Sequence, residues 1–198
     1  MIIKKFKGNE TVFDDEFDAI FPEEVREHSD RHFTSVFIAQ KAAQFLVSSK
    51  KDRILDIGAG TGKFCLVAAL TNDAHFTGVE YRKKQYEIAL NCAQRFNVTN
   101  ATFIHSNILD VPFDDFTGFY MFNPFLEQID GTAKMDNSID EKTGNYSLFS
   151  NYVKAELEKK PIGTRLATYY VPHIQISDSY ELVEKCFGDT LKFYKKIR

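Results

Sequence analysis

The run Ile54-Leu55-Asp56-Ile57-Gly58, continued by Ala59-Gly60-Thr61-Gly62, is the most informative stretch in this chain of 198 residues. Its apolar part is too short for a helix and stops at glycines, which marks a buried β-strand running into a tight turn. The stretch Phe64–Leu70 behind it reads as helix. Glycines between a strand and a helix let the backbone approach a ligand with no Cβ in the way, and the helix N-terminus favours negative charge. In open α/β sheets ligands bind at this place, beyond the carboxyl ends of the strands.

Downstream the pattern repeats. His75–Glu80 reads as a second strand, Lys83–Phe96 as a helix, Ala101–His105 as a third strand and Gly118–Phe122 as a fourth. A helix over Tyr146–Lys159 and a strand over Thr164–Tyr170 follow, and the alternating stretches around Gly188-Asp189 predict a β-hairpin. The alternation predicts an α/β fold, a doubly wound, seven-stranded, mostly parallel sheet finished by a C-terminal antiparallel hairpin. The long polar stretch Leu126–Asn145 reads as a lid or binding loop. Upstream, Val12, Phe13, Phe17, Ile20 and Phe21 recur at helical spacing and predict a short amphipathic helix ending near Pro22. Ser29-Asp30 is the expected cap of a helix through Val36, Ala39, Ala42, Ala43 and Leu46. Eight carboxylates between Glu10 and Glu27 face a single Arg26, which reads as a solvated helix face.

Composition sets the bounds. Hydrophobic residues at 43% and charged residues at 27% describe an ordinary globular chain rather than a disordered one. Cys65, Cys92 and Cys186 are too scattered for a zinc site or a disulfide framework, and no metal is expected. The N-terminal MIIKKFKGNE has no signal-peptide core and no run is long and apolar enough to span a membrane, so a cytoplasmic location is expected. A net charge of −3 argues against a nucleic-acid coat.

Three readings of the glycine turn compete. A P-loop requires G-x-x-x-x-G-K-[ST]; Gly62-Lys63 is followed by Phe64 and no glycine stands at position 57, so that reading fails. A dinucleotide fingerprint requires G-x-G-x-x-G, whereas the spacing here is G-x-G-x-G. The third reading fits: D-x-G-x-G-x-G after an apolar strand resembles the first motif of class I S-adenosylmethionine-dependent methyltransferases, and the resemblance extends from about Arg53 to the end. It implies residues 51–198 as the methyltransferase domain and residues 1–50 as a helical extension covering the cofactor site. It implies S-adenosyl-L-methionine as cofactor, with Gly58, Ala59, Gly60 and Gly62 offering backbone and Asp56 holding the ammonium side. Glu80, 18 residues after Gly62, matches the family's acidic residue that accepts both ribose hydroxyls, and a carboxylate suits a vicinal diol because it offers two acceptor oxygens. Tyr81 joins the same site. Asn107 stands where the family usually has an aspartate for the adenine amino group, and Ile108 where an apolar residue lies against the ring.

The element Phe122-Asn123-Pro124-Phe125 is similar to the [DNS]-P-P-[YFW] motif of amino-group methyltransferases, with one proline fewer. It resembles more closely a group of small bacterial methyltransferases with an F-N-P-F element, and more distantly the non-SET histone-lysine methyltransferase. The resemblance implies Asn123, Pro124 and Phe125 as catalytic: the polar residue accepts from the target amine, the aromatic stacks on it, and the lone pair is thereby oriented for in-line transfer. Phe33-Thr34, with Ser35 in place of a proline and Ala39 four residues on, resembles the F-T-P-x-x-x-A segment that covers the methionine end of the cofactor in some adenine methyltransferases.

Other features read as ordinary. His28 and His32 have metal-helix spacing but no glutamate base and no third ligand. Tyr169-Tyr170 ends the fifth strand, where half-buried strand aromatics are common and an acceptor-pocket role stays open. Lys192, Lys195, Lys196 and Arg198 are expected to protect a terminal edge strand. The expected activity is methyl transfer to a heteroatom, nitrogen first: a protein side chain, a small amine or an RNA base. Sequence-specific DNA is an unlikely substrate because no domain is left over to read it. A nucleotide-binding oxidoreductase and a non-catalytic cofactor-binding partner domain are the alternatives.

Overall fold

The computed structural model describes residues 2–8, 10–26, 33–125, 145–172 and 176–198. Expectations that rest on His28, His32 and positions 126–144 therefore lie outside the described residues, as do Ser29 and Asp30 themselves.

Four parallel pairings build the larger part of the sheet. Strand β1 (Arg53–Ile57) lies between β2 (His75–Glu80) and β4 (Gly118–Phe122), β3 (Ala101–His105) flanks β2, and β5 (Arg165–Tyr169) flanks β4. The C-terminal hairpin of β6 (Tyr180–Cys186) and β7 (Leu191–Lys196) adds on antiparallel, giving seven strands in the order β3-β2-β1-β4-β5-β7-β6. The chain order reverses between β1 and β4, so loops on either side of β1 leave a crevice at the carboxyl ends of the strands.

Alternation along each strand separates two cores. Ile54, Phe76, Tyr120, Ala167 and Phe193 face one side; Leu55, Ile57, Phe119, Met121, Leu166 and Tyr194 face the other. The first side is covered by the N-terminal helices α1 (Ile2–Lys7), α2 (Asp14–Asp18) and α3 (Glu23–Arg26), then α4 (Val36–Leu46), α5 (Lys63–Thr71) and α6 (Lys83–Arg95). The second is covered by α7 (Asn145–Glu158) and a 3₁₀ turn over Ile108–Asp110. Helix α5 is apolar almost all round and is buried from Lys63 through Ala69, as a helix wedged between sheet and outer helices must be.

Three expectations are corrected. The cap of α4 is Ser35, whose Oγ accepts from the Ile38 N–H at 3.2 Å; serine at this position serves the helix start that a proline would otherwise preset. The predicted amphipathic helix ending near Pro22 is shorter, and Phe13 is 67% exposed because it precedes the helix as a cap residue while Val12, Phe17 and Phe21 are buried. The lysine-bearing last strand is not an edge. β7 sits between β5 and β6 because Leu191, Phe193 and Tyr194 are fully buried, whereas β6 is exposed along most of its length and carries Glu181, Glu184 and Lys185 at the open edge. Lys196 is itself buried, bonded to Glu158 and Ser179. Among the described residues no helix is long and apolar enough to cross a membrane.

Candidate active site

The glycine turn is pinned to β2. The N–H groups of Gly58 and Ala59 both donate to the Val79 carbonyl, at 3.0 and 2.9 Å, and the Gly60 N–H donates to Glu80 Oε2 at 2.8 Å. Gly58 adopts φ +78°, and a Cβ there would lie 2.7 Å from the Pro124 side chain. The glycine thus lets the turn after β4 close onto the turn after β1. Gly60, at φ +56°, has nothing within 4 Å of where its Cβ would be; the space beside it is open for a ligand. Gly62 is glycine for packing, since the Phe103 ring occupies its side-chain position.

Alternation along β1 turns Asp56 toward the same face as Ile54, beneath the N-terminal helices. Its carboxyl is 3% exposed, and the Cys65 thiol, donating to Oδ2 at 3.6 Å, is its only hydrogen-bonding partner among the described residues. Burial, with the nearby Glu80 charge adding to it, pushes the Asp56 carboxyl up to about 8. A buried acid with so little compensation suits a cationic ligand group. The Thr61 hydroxyl, 2% exposed, has no hydrogen-bond partner in the described structure and lines the same pocket.

That pocket gathers Phe33, Thr34, Asp56, Gly58 and Ala59, five of the residues expected from sequence. Phe33 and Thr34 come from the segment before α4, and Thr34 Oγ1 lies 2.9 Å from the Tyr120 hydroxyl in a buried hydrogen bond. Tyr120 in turn stacks on Phe64, with centroids 3.8 Å apart. Thr61, Lys63, Phe64, Tyr120 and Phe122 complete the lining and were not singled out by sequence reading. Tyr120 and Phe122 could have been found by alternation, since they share the face of Asp56 through the β1–β4 pairing. Lys63 gives no local signal. Its ammonium is 3% exposed, 2.6 Å from both Asp14 and Asp18 of the N-terminal extension, and lies over the rings of Phe17 and Phe33.

The remaining expected residues are not part of the pocket lining. Glu80 is 5% exposed, and its two oxygens are bonded by the Gly60 and Arg82 N–H groups, so it organises the loop as well as facing the ligand edge. Tyr81 is 56% exposed beside it. Asn107 Oδ1 caps the 3₁₀ turn by accepting from the Leu109 N–H at 3.0 Å, and Ile108 is buried in the second core. Asn123 has φ +36°, not the extended backbone that a following proline favours, because the turn is held against Gly58. Phe125 is corrected: its ring is 8% exposed and packs against Phe149 of α7, so it closes the core and is not presented for stacking on an acceptor. Half-buried Phe122 and Tyr169 and the exposed Tyr170 instead pack together at the ends of β4 and β5.

Comparison with known proteins gives a consistent picture. Residues 48–153 match the family model described as Methyltransferase domain. The O-methyltransferase rstn1 of Aspergillus nomiae is 29% identical over 103 residues, which cover 50% of this chain and 46% of that protein. The O-methyltransferase cnsE of Penicillium expansum is 31% identical over 88 residues, 43% of this chain and 32% of that protein. The chain thus aligns with less than half the length of these curated relatives. Among solved structures, an RNA methyltransferase from Salinibacter ruber in complex with S-adenosyl-L-homocysteine superposes with a TM-score of 0.53 at 16% identity, covering 81% of this chain and 89% of that one.

Proposed function

Because the chain belongs to the methyltransferase-domain family, we propose that the pocket between the glycine turn and the Phe33-Thr34 segment binds S-adenosylmethionine and that the protein transfers its methyl group to an acceptor heteroatom. The observation that carries this reading is the buried, sparsely partnered Asp56 carboxyl in a pocket shared with Gly58, Ala59 and the unpartnered Thr61 hydroxyl. The residues fit the cofactor: Asp56 for an ammonium, backbone around Gly60 for close approach, and Glu80 for a diol through the lone pairs its two N–H partners leave free. Tyr81, Asn107 and Ile108 flank the place assigned to the adenine. When bound, the cofactor supplies a methyl group on a sulfonium, an electrophile that needs no metal activation.

The protein's task is then orientation and exclusion of water. Phe33 and Thr34, locked to Tyr120, shield the buried end. Asn123, beside the Gly58–Pro124 contact, is assigned to accept a hydrogen bond from the acceptor, and its likeness to the amino-group methyltransferase motif makes nitrogen the acceptor atom we propose. An oxygen acceptor is the second reading, favoured by the two relatives named O-methyltransferases. Calorimetry with S-adenosylmethionine against NADH tests the binding step, with binding of NADH alone overturning it. Incubation with methyl-labelled cofactor and a cell lysate, followed by mass spectrometry of the labelled fraction, identifies the acceptor atom. Tight cofactor binding with no label transferred to any fraction would favour a non-catalytic partner domain.

A further inference from the structure

The parallel register pairs Phe122 with Tyr169, so both rings stand on the face of the sheet that also carries Asp56 and Tyr120. Their centroids are 4.7 Å apart and the planes are tilted by 50°. Tyr170 adds a third ring, 4.6 Å from Tyr169 at 59° and 6.2 Å from Phe122 at 36°. Tyr170 is 55% exposed and has φ +54°, an uncommon backbone conformation for a bulky residue, held by its N–H donating to the Thr190 carbonyl. Strain of this kind persists where surrounding structure imposes it, and here it keeps a large exposed ring near Phe122, which lines the pocket.

Charge around the cluster is negative. Asp14 and Asp18 share the single Lys63 ammonium, and the Asp14 charge is among the influences, after burial, that raise the Tyr169 phenol. Tyr169 packs against both of the other rings, so the open π-face is that of the exposed Tyr170, and the surplus carboxylate of the Asp14, Asp18 and Lys63 group favours a compact cation there over a neutral ligand.

We propose that Phe122, Tyr169 and Tyr170 form the acceptor subsite and that the acceptor is an aliphatic amine, which enters and leaves as a cation. This rests on the methyl-transfer reading above. The ammonium gives one proton to water at the open rim. The nitrogen lone pair then forms the N–C bond as the C–S bond breaks and its electron pair stays on sulfur. Positive charge passes from sulfur to nitrogen during the step, so a π-face beside the nitrogen stabilises the transition state more than the neutral amine.

The test uses the full chain loaded with S-adenosylhomocysteine and titrated with tetramethylammonium, then with tert-butanol as its neutral counterpart of similar shape. Tyrosine ring signals in NMR report binding. Tetramethylammonium is expected to bind at least about tenfold more tightly, a difference of about 1.4 kcal/mol. Tyr170→Leu is expected to weaken it at least fivefold, and Tyr170→Phe to leave it within twofold. Because Tyr170 is largely exposed, both variants should keep the wild-type thermal midpoint and bind S-adenosylhomocysteine within threefold of wild type. Equal binding of the two probes, or tetramethylammonium binding unchanged by Tyr170→Leu, overturns the subsite while leaving the cofactor reading intact. A wild-type chain that takes up no S-adenosylhomocysteine overturns both.

Discussion

Asp56 shows how much a single residue can reveal. With its carboxyl pushed up to about 8, it is mostly protonated at pH 7 in the free protein. A ligand ammonium favours the ionised form, so cofactor binding at pH 7 should release close to one proton, measurable by calorimetry in buffers of different ionisation enthalpy. Affinity should rise with pH up to about 8, and Asp56→Asn should abolish the release. The same shift governs stability. The folded state keeps the proton between the unfolded pKa, near 4, and about 8, so Asp56 lowers the stability of the free protein as pH rises through that window. Asp56→Asn should therefore raise the thermal midpoint of the free protein more at pH 8 than at pH 4.

Glu80 has two roles that one variant can separate. Glu80→Ala removes an acceptor for the ribose and also the anchor of the Gly60 and Arg82 N–H groups. Losing a charged hydrogen-bond partner should cost roughly 1.5–3 kcal/mol in cofactor affinity. If Glu80 holds the diol, the loss is smaller for a 2′-deoxyribose analogue, which makes one contact fewer. Equal losses for both ligands would leave Glu80 with the loop alone.

At the scale of elements, Lys63 joins three pieces of chain. Asp14 Oδ1 accepts from Lys63 Nζ and from the Val36 N–H at 2.7 Å, so one carboxylate links α2, the start of α4 and the start of α5. Lys63→Met leaves Asp18 buried without its counter-ion and should cost up to about 3 kcal/mol, read from the denaturant midpoint. Combining it with Asp18→Leu should recover much of that, whereas a surface ion pair would give almost no effect in either variant. The turn after β4 yields a second expectation. Since Asn123 sits at positive φ, glycine is the substitution that preserves its backbone. Asn123→Gly should leave cofactor affinity within about threefold, under 1 kcal/mol, yet lower turnover about 100-fold if its amide orients the acceptor. Normal turnover in that variant would reduce the turn to scaffolding.

For the whole molecule, the place of β7 decides how the C-terminus contributes. Phe193 is fully buried and stacks on Phe45 with centroids 4.4 Å apart. Phe193→Ala should cost about 3–5 kcal/mol as a core cavity does, measured by urea unfolding. A residue on a solvent-flanked edge strand would cost far less, and a loss below about 1 kcal/mol would contradict the interior placement.

The strands from β1 to β4 and the glycine turn were legible from the sequence because periodicity and glycine chemistry are local: Ile54–Gly58 and His75–Glu80 state their own conformation. Asp56, Gly58, Glu80 and Phe33-Thr34 could be assigned to one site only through the motifs they share with class I methyltransferases. What only the tertiary structure decided depends on partners distant in sequence. The Gly58–Pro124 contact sets the backbone of Asn123 against the local preference of a residue before proline, and α7 takes Phe125 into the core. Burial of Leu191, Phe193 and Tyr194 moves the last strand inside the hairpin, and two aspartates some 45 to 50 residues upstream hold Lys63. A short-range pattern fixes the torsions of its own segment, but which segments meet is settled by the summed burial of the whole chain, and no window of sequence contains that sum.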